Sequence, residues 1–208
     1  MFIYNNNKDI VTFIDKKDIK TGDIIILNFN KNNVFTDGIF GFKFYHAAIA
    51  LWENEELYFI EYAWYNDKKE GIIKHHYSEF SYYNIDSVMM LNKLVIKDDS
   101  EEKRKKLSHD ILKFYETVKK VKDIEPGFGL GWYRFLTQHK DKYKPLNFEE
   151  SKNVTCLEIL SCLLCEIGIV KKNKSISYLP TKFINMEGFD FEKNYSYDKN
   201  FLCNLSFY

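Results

Sequence analysis

Two short apolar segments, Phe44 to Leu51 and Glu56 to Ala63, are joined by the polar stretch Glu53-Asn54-Glu55-Glu56. Apolar runs of that length around a polar turn pair as adjacent antiparallel strands, and the pairing brings side chains from both onto one surface. Further short strands are predicted at Asp23 to Phe29, Ile72 to His76 and Val88 to Val95, each flanked by polar or glycine-containing residues. From Asp99 to Lys122 the period changes: Leu107, Ile111, Leu112, Tyr115 and Val118 recur at three- and four-residue steps, the spacing of an amphipathic helix. Its charge run, Glu101 to Lys106, reads as a solvated helix start. A second helix, Val154 to Ile169, is far more apolar, ends at Gly168 or soon after, and belongs in the core. The expectation is an α+β fold in which an antiparallel sheet packs against a core helix. With 208 residues, 45% of them hydrophobic and 17% aromatic, the chain can bury one substantial core, and residues 1–208 read as a single domain.

On this frame the reactive side chains come in the order histidine, carboxylate, thiol. His46 lies in Tyr45-His46-Ala47-Ala48-Ile49, Glu61 in Phe59-Ile60-Glu61-Tyr62, and Cys156 in Asn153-Val154-Thr155-Cys156-Leu157-Glu158. A thiol attacks as its thiolate, a form favoured by a neighbouring imidazole and by a helix N-terminus. The paired strands can bring His46 and Glu61 together, and Cys156 falls in the first turn of the apolar helix behind Ser151, Asn153 and Thr155 as caps. Each residue also has an inert reading: a hydrogen-bonded core histidine, an exposed strand carboxylate, a buried helical cysteine. Order and placement together favour base, orienter and nucleophile. Of the other histidines, His75 and His76 lie on a candidate strand and His109 and His139 in charged surroundings, and none has an equally placed acidic partner along the chain.

These segments resemble the circularly permuted papain-like hydrolases of the NlpC type, which include the YiiX-like proteins and the lecithin:retinol acyltransferase branch. Thr21-Gly22-Asp23-Ile24-Ile25 is similar to the family's opening Gly-Asp strand, His46-Ala47-Ala48-Ile49-Ala50 to its histidine strand, and Phe59-Ile60-Glu61-Tyr62-Ala63 to its Ile-Glu-Ala strand. Thr155-Cys156-Leu157-Glu158-Ile159-Leu160 is similar to the start of its cysteine helix, with Leu157 where a small polar residue is more usual, and Leu179-Pro180-Thr181 to the proline that follows. The resemblance implies a permuted papain-like fold and thiol chemistry on an amide or ester, with Cys156 as nucleophile, His46 as base and Glu61 as orienter. Water as acceptor makes a hydrolase, and an amine or alcohol makes an acyltransferase. A binding or structural protein that keeps the fold without turnover stays open beside them.

Thirty basic and thirty acidic residues leave a formal net charge of zero, so no global field draws the chain to nucleic acid or to an anionic membrane. Partners must be recognised locally, as a peptide, lipid or lipidated-protein substrate. The N-terminal residues lack the pattern of a signal peptide, and no apolar run approaches the roughly 20 residues that span a bilayer. The reading is a soluble protein of the cytoplasm, that of a host cell if its source is a virus or pathogen. Cys162 and Cys165 have the Cys-x-x-Cys spacing, but no second pair follows and an apolar helix is a poor place for two thiolates. Reduced core thiols are expected, with no metal and no cofactor. The string Gly127-Phe128-Gly129-Leu130-Gly131 follows Pro126 and lacks both the preceding strand and the spacing of a dinucleotide site. Trp132 and Tyr133 beside it, the loop Asn30 to Gly41, and Trp64, Tyr65, Tyr82 and Tyr83 are candidates for a cleft wall or for plain packing.

Overall fold

The computed structural model describes residues 12–27, 46–62, 71–79, 89–120, 125–126, 153–172, 186, 189–198 and 201–205. In chain order the strands are β1 (Thr12–Ile14), β2 (Ile24–Leu27), β3 (His46–Glu53), β4 (Glu56–Tyr62), β5 (Ile72–His76), β6 (Met89–Asn92), β7 (Leu94–Ile96), β8 (Glu125–Pro126), β9 (Asn153–Val154), β10 (Tyr195–Tyr197) and β11 (Phe201–Leu205). The helices are α1 (Glu101–Lys119) and α2 (Cys156–Glu166). Seven strands form the main sheet in the order β1-β11-β6-β2-β3-β4-β5. Its neighbours run antiparallel except β1 and β11, which pair in parallel at one edge.

The turn between β3 and β4 takes two residues, Asn54 and Glu55, with φ of 50° and 66°. Positive φ at both central positions is the mark of a type I′ turn, whose twist matches that of the strands it joins. Both faces of the hairpin are buried. Ala47, Ile49, Leu51 and Ile60 face Leu107 and Ile111 of α1 and Leu160 and Leu164 of α2, while Ala48, Ala50, Leu57 and Phe59 pack with Ile14, Ile19, Ile25 and Leu91 on the other side. Double-sided burial explains why these strands read as continuous apolar runs with no alternation. Each fully buried Ile, Leu or Phe contributes roughly 1.5–3 kcal/mol.

Several expected boundaries shift. The segment Val88 to Val95 is two strands broken at Lys93, because Leu94 leaves the main sheet to start β7, which pairs with β10. The core helix begins at Cys156, with Val154 in the short bridge to β8. It ends at Glu166: Gly168 N–H donates to Cys165 and Ile169 N–H to Leu164, a Schellman turn that needs the positive φ of Gly168 (74°). The charge run on α1 is solvated except at Arg104, which donates to the carbonyls of Thr21 and Leu94 and pairs with Asp99. Positions 28–45 and Ala63, the glycine string with Trp132 and Tyr133, Trp64, Tyr65, Tyr82, Tyr83, His139, Ser151 and Leu179 to Thr181 lie outside the described residues.

Thr21-Gly22-Asp23 ties the sheet to α1. Thr21 Oγ1 accepts from the Trp52 N–H and bonds Ser108 of α1. Gly22 has φ of 93°, and a Cβ there would come 2.5 Å from Leu94 Cδ2 and 2.9 Å from Leu107 Cδ2, so only glycine fits. The buried carboxylate of Asp23 accepts the backbone N–H groups of Lys20 and Leu94, each at 2.9 Å. Burial nevertheless pushes its pKa from 3.8 to about 6. The folded form thus keeps a proton that the unfolded chain has already lost, and the stability this group contributes falls as pH rises through about 6. Raising the pH from 4 to 7 is expected to cost the wild type about 2 kcal/mol more than Asp23→Asn, which has no proton to lose. Urea unfolding of both proteins at the two pH values checks this, and a difference that does not change with pH refutes it.

Candidate active site

Cys156 occupies the first position of α2, and the residues around it are those that build a helix start. Thr155 is the N-cap: its hydroxyl accepts from the Glu158 N–H at 3.2 Å, while Glu158 Oε2 accepts from the Thr155 N–H at 2.8 Å. This reciprocal pair is a capping box. It takes up two of the four N–H groups that have no acceptor within the helix, and those of Cys156 and Leu157 are the other two. Of the three caps expected, Thr155 serves; Asn153 belongs to β9. The Cys156 side chain is partly exposed and packs at the border of the core between sheet and helices.

His46 is the first residue of β3, and Glu61 lies near the end of β4 opposite Ala48. Two residues along β3 from Ala48, His46 reaches Glu61 diagonally: Nε2–H donates to Glu61 Oε2 at 2.6 Å. A carboxylate only accepts, so the bond fixes the proton on Nε2 and leaves Nδ1 for a second partner. The ring also shares a hydrogen bond with the Cys156 sulfur. Burial alone disfavours a charged imidazole here, but the charges and hydrogen bonds of Cys156 and Glu61 outweigh it and raise the His46 pKa from 6.5 to about 10. Thiol, imidazole and carboxylate therefore stand in contact in the order the sequence suggests.

The remaining thiols differ sharply in surroundings. Cys162 and Cys165 are buried thiols outside any disulfide, and burial pushes Cys165 up to about 12. The Cys203 side chain lies outside the described residues. His109 is exposed on α1. His75 and His76 correct the expectation that they lack acidic partners: His76 Nε2 is 3.0 Å from Glu56, and His75 Nε2 is 3.0 Å from Glu61 Oε1. Sequence spacing missed these pairs because both partners lie across the β4–β5 ladder, where the register and not the separation along the chain decides who meets.

A cavity of about 10 Å³ lies beside Cys156 among Ala47, Ile60, Ile72, Ile159 and Leu163, at the lower limit for one water. A groove of about 650 Å³ opens at the far end of β3, against Trp52, Glu53, Arg104 and Ser108. Size alone would direct attention to it, but Arg104 and Thr21 at its wall are held in the ties described above, and it touches none of His46, Glu61 and Cys156. Among the described residues no cluster of three or more His, Cys, Asp or Glu side chains is arranged to hold a metal ion, and no helix is long and apolar enough to cross a membrane.

No protein-family model and no curated protein matches the chain. Among solved structures it is similar in fold, distantly, to the metalloprotein YiiX from Escherichia coli O157:H7, with 8% sequence identity and a TM-score of 0.43 over 86% of this chain and 96% of that one.

Proposed function

We propose that this chain is a thiol-dependent hydrolase or acyltransferase with a permuted papain-like arrangement, acting on an amide or ester through Cys156, His46 and Glu61. The observation that carries the reading is His46 in contact with a thiol at a helix start and with a fully buried carboxylate. Cys156 attacks the acyl carbonyl as its thiolate, and His46 holds the thiol proton and returns it to the leaving group. Glu61 keeps the ring in the Nε2–H tautomer and supports its charge. The carbonyl oxygen, negative in the tetrahedral intermediate, is met by the N–H groups at the tip of α2, which sit at the positive end of the helix. Water then releases the acyl group as acid, or an amine or alcohol carries it away; a peptide, lipid or lipidated protein supplies it.

The test is thiol reactivity. At pH 6 and limiting iodoacetamide, Cys156 is expected to be alkylated ahead of Cys162, Cys165 and Cys203, and faster than glutathione under the same conditions. Partial exposure can explain the first result, but only activation explains the second. A Cys156 slower than glutathione sinks the catalytic reading and favours a protein that binds on this scaffold without turnover.

A further inference from the structure

We propose that His75 is a positioning residue of this site, holding Glu61 from the side opposite His46; the assignment rests on the thiol-catalysis reading. Glu61 stands on β4 between β3 and β5, and its side chain is 0% exposed. Each of its oxygens faces a different imidazole: Oε2 accepts a hydrogen bond from His46 Nε2 at 2.6 Å, and Oε1 lies 3.0 Å from His75 Nε2, within ion-pair distance but without hydrogen-bond alignment. The register produces this symmetry. His46 is displaced two residues from Ala48, the partner of Glu61 on β3, and His75 two residues from Ile73, its partner on β5.

Two consequences follow for the chemistry. A terminal carboxylate torsion is broad, so a partner on one oxygen leaves the group free to rock, whereas an imidazole within ion-pair distance of the other oxygen limits that rocking and keeps Oε2 toward His46. Charge is the second. Cys156 as thiolate, His46 as imidazolium and Glu61 as carboxylate sum to one negative charge in a desolvated place, and a cation on the far side of Glu61 brings the group to neutrality. His75 is suited to that position. Its side chain is 17% exposed, and its Nδ1 lies 3.8 Å from Oε2 of the solvent-exposed Glu79, so a route to water runs away from the thiol.

The experiment compares wild type, His46→Ala, His75→Gln and His75→Leu in the rate of Cys156 alkylation at pH 7, with folding checked by circular dichroism. His75→Leu is expected to fall about threefold to tenfold, bounded by the reactivity an unassisted thiol retains, and His75→Gln, which keeps an N–H near Oε1, to lie between it and wild type. A purely structural role predicts no such rescue. If Cys156 is fast in the wild type and slowed by His46→Ala, but His75→Leu matches wild type or His75→Gln does no better than His75→Leu, the assignment of His75 falls alone. If the wild-type rate does not exceed that of glutathione and His46→Ala leaves it unchanged, the thiol-catalysis reading falls and takes the proposal with it. Should His75→Leu not fold, the wild type still decides. Nitrogen NMR of the His75 ring should show a proton on Nε2, and an Nδ1–H tautomer overturns the proposal.

Discussion

His46→Ala is expected to slow Cys156 alkylation at pH 7 by about tenfold, and to lower turnover on an acyl substrate by roughly 10²- to 10⁴-fold. An unassisted thiol is only about 3% thiolate at pH 7, whereas a thiol paired with an imidazolium is mostly ionised. The gain is smaller than that ratio because a more stable thiolate is intrinsically less nucleophilic, by a Brønsted slope of about 0.4–0.5. Alkylation reports only this ionisation. Turnover loses more, because the ring that holds the thiol proton is also the acid that protonates the leaving group. Measuring both therefore separates an electrostatic neighbour from a proton carrier. Equal losses in the two assays would make His46 a charge beside the sulfur and nothing more, and no loss in either, with the fold intact, would make it a core histidine.

What could be read from the sequence follows from how local each signal is. The β3–β4 hairpin was legible because Asn54 and Glu55 sit between two apolar runs, and a two-residue turn fixes the pairing of Ala48 with Glu61 by counting outward. That Cys156 falls in the first turn of the apolar helix was legible from the capping residues before it, but the start itself was read two residues early at Val154, and the capping box of Thr155 and Glu158 is what sets it at Cys156. Non-local pairing was not legible. β1 and β11 come from opposite ends of the chain and meet in parallel, and nothing in either segment names the other. His75 was passed over on similar grounds. Its carboxylate lies fourteen positions back across a second ladder, the connection to β5 has no short turn to count from, and that register becomes visible only in the folded sheet. Likewise, one apolar run from Val88 to Val95 gave no sign that Leu94 bonds to Asp23 and leaves for another sheet.

Glu61→Gln is expected to cost nearly as much turnover as losing the base, roughly 10³-fold, although it changes one atom and keeps the shape of the side chain. The carboxylate accepts a hydrogen bond from His46 Nε2 at 2.6 Å and holds its other oxygen 3.0 Å from His75 Nε2. An amide offers an acceptor on one atom and only donors on the other, so the face it turns to His46 decides that ring's tautomer. If the amide N–H₂ faces His46, that ring must accept at Nε2 and carry its proton on Nδ1, against the sulfur, where it can no longer take a proton from the thiol. If the amide oxygen faces His46, the tautomer survives, but the charge that helps hold the ring protonated is gone. In both cases the His46 pKa must drop from its raised value, since Glu61 is one of the two groups that raise it against burial. Ring titration by NMR reads that drop directly, and kcat on the first ester or amide shown to turn over reads the loss of catalysis. Glu61→Asp separates the causes, because it keeps the charge while shortening the reach to both rings. If Glu61→Asp retains most activity and Glu61→Gln little, charge governs. Equal damage from both gives geometry the larger share. An unchanged kcat in Glu61→Gln, with the His46 titration also unmoved, would remove Glu61 from the mechanism.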